Sequence, residues 1–133
     1  MSAERLRSLA LDLHRTAPRS PRAAFTQYFP AVAARLVDKC RADLLGRAGS
    51  YRYNCPMDRQ FFAATGLDAE ALREFISTGA DDTQIAVWIR TRATVSTERI
   101  SAWSRRFCQS PIWRLLDLQD WLHKQWQRRR VRS

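Results

Sequence analysis

The residues best suited to chemistry lie in SYRYNCPMDRQFF (50–62), where a cysteine stands directly before a proline. Proline holds its own φ near the helical value and favours extended backbone in the residue before it, so Cys55–Pro56 reads as the start of a helix. A thiol at that point lies beside unpaired backbone N–H groups and the positive end of the helix dipole, a setting in which thiolate chemistry is found. Arg52 and Arg59 act in the same sense. What is missing is a base: the two histidines, His14 and His123, fall on terminal helices. The plainer reading is therefore preferred. Cys55 or Asn54 caps the helix, Cys55 packs, and Asp58 is a first-turn acid favoured by the dipole.

A second set, Arg35, Asp38, Lys39 and Arg41, shares the polar side of one helix, with Asp38 three residues from both arginines. Such a face suits a phosphate or carboxylate, with Asp38 holding the arginines in place. The preferred expectation is again the plainer one, a solvated ladder of ion pairs or a polar face that ties down a neighbouring loop. The third set is the C-terminal stretch SPIWRLLDLQDWLHKQWQRRRVRS (110–133). At about 100° per residue, Leu118, Leu122, Leu115, Trp126, Ile112 and Leu116 form one arc, flanked by Trp113 and Trp121. Arg128, Arg129, Arg130 and Arg132 follow. That combination suits a partner protein, a membrane surface or, through the basic end, nucleic acid. The expectation preferred over these is that the arc packs on its own domain and leaves a basic tail.

Other chemistries find no support. Two histidines and three scattered cysteines (Cys40, Cys55, Cys108) show no metal-ligand spacing, and the four glycines form no phosphate-binding loop. No cofactor is expected, and no catalytic residue is assigned.

The elements that must position these residues announce themselves by their ends. Leu6, Leu9, Ala10 and Leu13 share a stripe of a first helix that TAPRSPR stops. A second helix is predicted over about Pro30–Leu45, before Gly46, and a third from Pro56 to Gly66. Asp68 opens a fourth, with Leu67 and Leu72 as a hydrophobic staple and Gly79 at its end. Asp81 or Asp82 opens a fifth, with Gln84 completing a capping box if Asp81 is the cap. Ser96 opens a sixth, with Val95 and Ile100 as another staple. The last helix is predicted over about 111–130. The class is all-α: a single multi-helix domain of about six to seven short helices (1–109), then an amphipathic helix and basic tail (110–133).

The totals agree with that class. At 133 residues, one domain can bury about two thirds of the unfolded chain's surface without disulfides or metal. The odd cysteine number and the lack of a secretory apolar run predict reduced thiols in a cytoplasm. No run approaches the ~18–20 apolar residues of a membrane span. The net charge of +10 is uneven: +3 over residues 1–22, +3 over 23–111 and +4 over 112–133. Basic ends of this kind suit acidic partners.

PRSPR (18–22), ARLVDKCRADLLG (34–46), YRYNCPMDRQFF (51–62), TGLD (65–68), DTQIAVWI (82–89) and AWS (102–104) resemble a family of small bacterial proteins described as a domain of unknown function. The signature is D-K-x-R followed by Y-x-Y-x-C-P-x-D-x-x-F, and the resemblance spans about 17–107. It implies a mainly helical cytoplasmic domain with no assigned activity. It also couples the first two candidate sets, so that Asp38, Lys39, Arg41, Cys55 and Asp58 would form one polar cluster if they meet in space. The chain departs from the pattern in lacking glycines around Ala23–Ala24 and in its C-terminal helix, which reads as an addition.

The function expected from all this is a non-catalytic binding module for an acidic partner, protein or nucleic acid. The alternatives are a small enzyme or thiol sensor using Cys55, and a subunit or scaffold that self-associates.

Overall fold

Three helix starts fall where short polar side chains accept hydrogen bonds from otherwise unpaired amides. In the computed structural model, which describes residues 3–26, 31–111, 118, 120–122 and 125, Asp68, Asp81 and Ser96 each accept from the amide three residues on. Gln84 returns the bond to the Asp81 amide and completes the capping box. The elements are α1 (Ala3–Leu9), α2 (Ala33–Leu44), α3 (Pro56–Thr65), α4 (Ala69–Ser77), α5 (Asp82–Arg92) and α6 (Thr97–Gln109). Leu118, residues 120–122 and Gln125 are also helical, as part of a C-terminal helix. Among the described residues there is no strand, and the fold is all-α. No helix among them is long and apolar enough to cross a membrane.

α2 is the axis of the molecule. Every residue from Ala33 to Ala42 is buried, the charged ones included. Its apolar arc, Leu36, Val37 and Cys40, joins Phe25, Phe61, Leu72, Ile76, Ile85, Ile89, Ile100 and Phe107 in one core. α4 packs on α1, α2 and α5, and α3 packs on α6. Aromatic contacts lock these neighbours: Phe61 of α3 meets Trp103 of α6 edge-on, and Trp88 of α5 stacks on Phe75 of α4 at 5.6 Å. The Leu67–Leu72 staple is buried.

Two local expectations are corrected. α1 ends at Leu9, so Leu13 leaves the first helix and packs with Ala42 and Tyr51 in a small cluster of its own. Its amide donates to the Arg47 carbonyl, a tie the helix could not make. Pro30, expected in the first turn of α2, lies outside the described residues, and the helix starts after Val32.

Candidate functional site

The turn into α3 is built by three adjacent residues. Asn54 takes φ +63°, a left-handed conformation that asparagine tolerates better than most residues. Cys55 is then extended and Pro56 begins the helix. Cys55 is the capping residue by position, yet its side chain accepts no capping hydrogen bond, contrary to the expectation that it or Asn54 satisfies the helix amides. Its sulfur faces Lys39 instead. Lys39 Nζ lies 3.3 Å from Cys55 Sγ and 2.8 Å from Asp58 Oδ2. Asp58 Oδ2 also accepts the Asn54 amide at 2.9 Å. The Lys39 and Asp58 side chains are 3% and 0% exposed, so Asp58, in the first turn of α3 as expected, is also a sealed counter-ion.

The charged arc of α2 is likewise not a solvated ladder. At 100° per residue Arg41, Asp38, Arg35 and Lys39 follow one another around about 160° of the helix. Each meets a group from a different part of the chain. Asp38 does not pair with Arg35 or Arg41. It receives the Arg19 amide at 2.9 Å, Arg19 Nε at 3.0 Å and Arg19 Nη2 at 3.0 Å, three donors that a helix neighbour could not supply together. Arg19 Nη1 reaches on to Asp82 Oδ2 at 2.8 Å. Asp82 Oδ1 lies 2.9 Å from Arg41 Nη1, and Arg41 Nη2 donates to the Ala80 carbonyl at 3.0 Å. Burial disfavours charge on both Arg19 and Asp82. Hydrogen bonds and attractions outweigh it, from Asp38 and then Asp82 on Arg19 and from Arg19 and then Arg41 on Asp82, holding Asp82 below the ordinary carboxylate value and Arg19 above its own. The second half of the plainer expectation describes this side of α2: it ties down the loop that carries Arg19.

Arg35 takes the fourth acid. Its Nη1 and Nη2 donate to Asp120 Oδ2 and Oδ1 at 2.8 and 3.0 Å, a bidentate pair. The Tyr51 hydroxyl donates to Asp120 Oδ1 at 2.8 Å, and the Arg35 guanidinium lies over the Tyr51 ring at 5.4 Å. Burial, then the bond to Asp120, push the Tyr51 hydroxyl well above the usual tyrosine range, which keeps it a donor.

The five residues of the sequence-expected cluster thus divide. Lys39, Cys55 and Asp58 meet at the start of α3. Asp38 and Arg41 belong to the Arg19–Asp82 set on the same arc. Four bases and four acids cancel in these pairs, so the net +10 of the chain resides entirely outside them. Arg19, Asp82 and Asp120 carry this network and were not singled out from sequence. In the sequence Arg19 stands within PRSPR, and Asp82 is an alternative helix cap and the first residue of DTQIAVWI.

Because Asp120 faces inward, the opposite side of the C-terminal helix faces out. Leu118, Trp121 and Leu122, spaced i, i+3 and i+4, are 50%, 54% and 53% exposed. The expectation that the arc packs on its own domain is overturned for Leu118 and Leu122, and the flanking Trp121 is exposed with them, because the buried Arg35 calls the polar face of the helix inward. Trp113, Trp126, Arg128, Arg129, Arg130 and Arg132 lie outside the described residues. Among the described residues no group of side chains is arranged to hold a metal ion.

The chain belongs to the family described as Domain of unknown function (DUF5069), whose model matches residues 15–130. That match runs through the C-terminal helix, so the helix is part of the family region and not the addition it resembled in sequence. No curated protein matches the chain.

Proposed function

We propose that this DUF5069 chain is a non-catalytic interaction module that binds an acidic partner protein through its C-terminal helix. One observation carries the reading: the helix is held by its acid, Asp120, and presents Leu118, Trp121 and Leu122 outward. A stripe of large apolar side chains at helical spacing is the face that docks in a hydrophobic groove. The charge supports an acidic partner, since the +10 excess lies wholly outside the cancelled interior pairs. The leucines favour protein over nucleic acid, which would use the arginines and a stacked ring but gain little from aliphatic groups.

The test is anisotropy titration with a labelled, glutamate-rich amphipathic helical peptide, beside duplex DNA of equal charge, at rising salt. The expected result is peptide binding that weakens with salt and falls at least about tenfold in Leu118→Ser/Trp121→Ser/Leu122→Ser. Tighter binding of the DNA, unchanged by the triple substitution, overturns the protein-partner reading. A stable dimer in light scattering that the triple variant abolishes assigns the stripe to self-association instead.

A further inference from the structure

The geometry points to a covalent switch at the start of α3: a hydroperoxide oxidises Cys55 to the sulfenic acid, and Lys39 captures it as a sulfur–nitrogen link. The inference is independent of partner binding at the C-terminal helix.

Three features of the cluster lead there. Lys39 Nζ is already 3.3 Å from Cys55 Sγ, and with 3% of its side chain exposed it has no path into solvent away from the sulfur. Cys55 is only partly buried, at the edge of the core, whereas Cys40 is sealed inside it. Asp58 is fully buried, and its Oδ1 has no hydrogen-bond partner, which leaves one carboxylate oxygen of the cluster open to a proton. An acceptor in that state is uncommon in a folded interior and calls for an explanation. The other thiols are poorer candidates. Burial pushes Cys40 up to about 12 and moves Cys108 in the same direction, which keeps both protonated.

The chemistry balances with one peroxide. Sulfur attacks a peroxide oxygen, the O–O bond breaks, sulfur is oxidised by two electrons, and the peroxide is reduced, leaving Cys–SOH and one water that carries off the thiol proton. Lys39 then passes one proton to the Asp58 carboxylate, and its freed lone pair attacks sulfur. The S–O bond breaks as the S–N bond forms, and the departing hydroxide takes a second proton from nitrogen and leaves as water. Sulfenic acids condense with nitrogen in this way to sulfenamides. The product exchanges a buried ammonium–carboxylate pair for a neutral link and a protonated Asp58. It ties α2 covalently to the first turn of α3, and a thiol reductant reverses it.

The full-length protein, treated with an equimolar amount of hydrogen peroxide, is alkylated and mapped by peptide mass spectrometry with and without dithiothreitol. The expected result is a peptide pair joined through Lys39 and Cys55, lighter by two hydrogens than its separate parts and lost on reduction, with Cys40 and Cys108 unchanged. Lys39→Arg, folded by circular dichroism, gives no such pair. Recovery of Cys55 as a dimedone adduct, disulfide or sulfinic acid beside free Lys39 in the wild-type protein overturns the proposal. So does a Cys55 still fully alkylated after peroxide.

Discussion

Replacing Asp58 by asparagine isolates the charge of the most deeply buried ion pair. Asparagine keeps the shape and an oxygen to accept the Asn54 amide, so the turn into α3 is left intact. What is lost is the counter-ion of Lys39, whose Nζ sits 2.8 Å from the carboxylate with both side chains almost fully enclosed. Removing one member of such a pair leaves an uncompensated interior charge and costs about 3–5 kcal/mol. Set against a total stability of roughly 5–15 kcal/mol, that is about a fifth of the whole at the least. For a chain of 133 residues, at about 3–4 °C per kcal/mol, the melting temperature falls by roughly 10–20 °C. Thermal and urea unfolding followed by circular dichroism measure it. The companion is Lys39→Met/Asp58→Leu, which removes both charges at similar volume and recovers most of the loss, because exchanging a buried pair for apolar groups is often neutral or better. An Asp58→Asn protein within about 1 kcal/mol of wild type refutes the argument, as does a double variant no more stable than the worse single.

Asp82 gives the pH dependence. Its carboxyl is held below the ordinary value in the fold, since the pull of Arg19 and Arg41 exceeds the effect of burial. A depressed acid stabilises the fold above its unfolded value near 4, and that contribution fades as pH drops through the lower folded value. Asp82→Asn is therefore less stable than wild type at pH 7, by about 1–2 kcal/mol after discounting for solvent exposure, and the gap narrows below about pH 4. Urea unfolding at a series of pH values reads it. Gly66, at φ +74°, closes α3, and a Cβ there would stand 1.8 Å from Thr94 Oγ1. Gly66→Ala is expected to cost about 1–3 kcal/mol in the same unfolding assay, from the left-handed backbone and the displaced threonine together.

Much of the fold could be read from local chemistry because helix ends are local events. Asp81 with Gln84, Asp68 before a staple, and Ser96 before Thr97 each state a boundary within four residues of itself, and each boundary is where those residues put it. The charged arc of α2 followed other rules. Helical spacing reports only which side chains of one helix are neighbours, and it suggested Asp38 with Arg35 and Arg41. The actual partners come from 19 residues away for Asp38 and 85 for Arg35. Asp38 went to Arg19 because an arginine on a loop brings its backbone amide and two side-chain nitrogens to one carboxylate. Asp58 shows the same division. Its place in the first turn of α3 was legible, whereas its burial was not, since nothing in YNCPMD indicates that a lysine from α2 covers it. Leu13 is a similar case, periodic with α1 in sequence but drawn off by the Arg47 carbonyl.

The outward face of the C-terminal helix follows from comparing two free energies. Turning the helix to bury the exposed halves of Leu118, Trp121 and Leu122 would gain roughly 1 kcal/mol for each, about 3 kcal/mol in all. The same turn would take Asp120 away from Arg35, whose side chain is 2% exposed, and leave a guanidinium without its counter-ion at a cost of about 3–5 kcal/mol. The charge on α2 therefore decides the orientation, and the apolar stripe is exposed as its consequence. If that reasoning holds, abolishing the charge reverses the choice. In Arg35→Met/Asp120→Leu the interior no longer asks for an acid, and the apolar face turns inward. The expected signs are reduced acrylamide quenching of the tryptophan emission, with Trp121→Phe in both backgrounds to assign the change, and loss of binding to the acidic amphipathic peptide without loss of thermal stability. Unchanged quenching at residue 121 in a folded double variant would mean that something other than Arg35 sets the helix, and that the buried network does not expose the stripe.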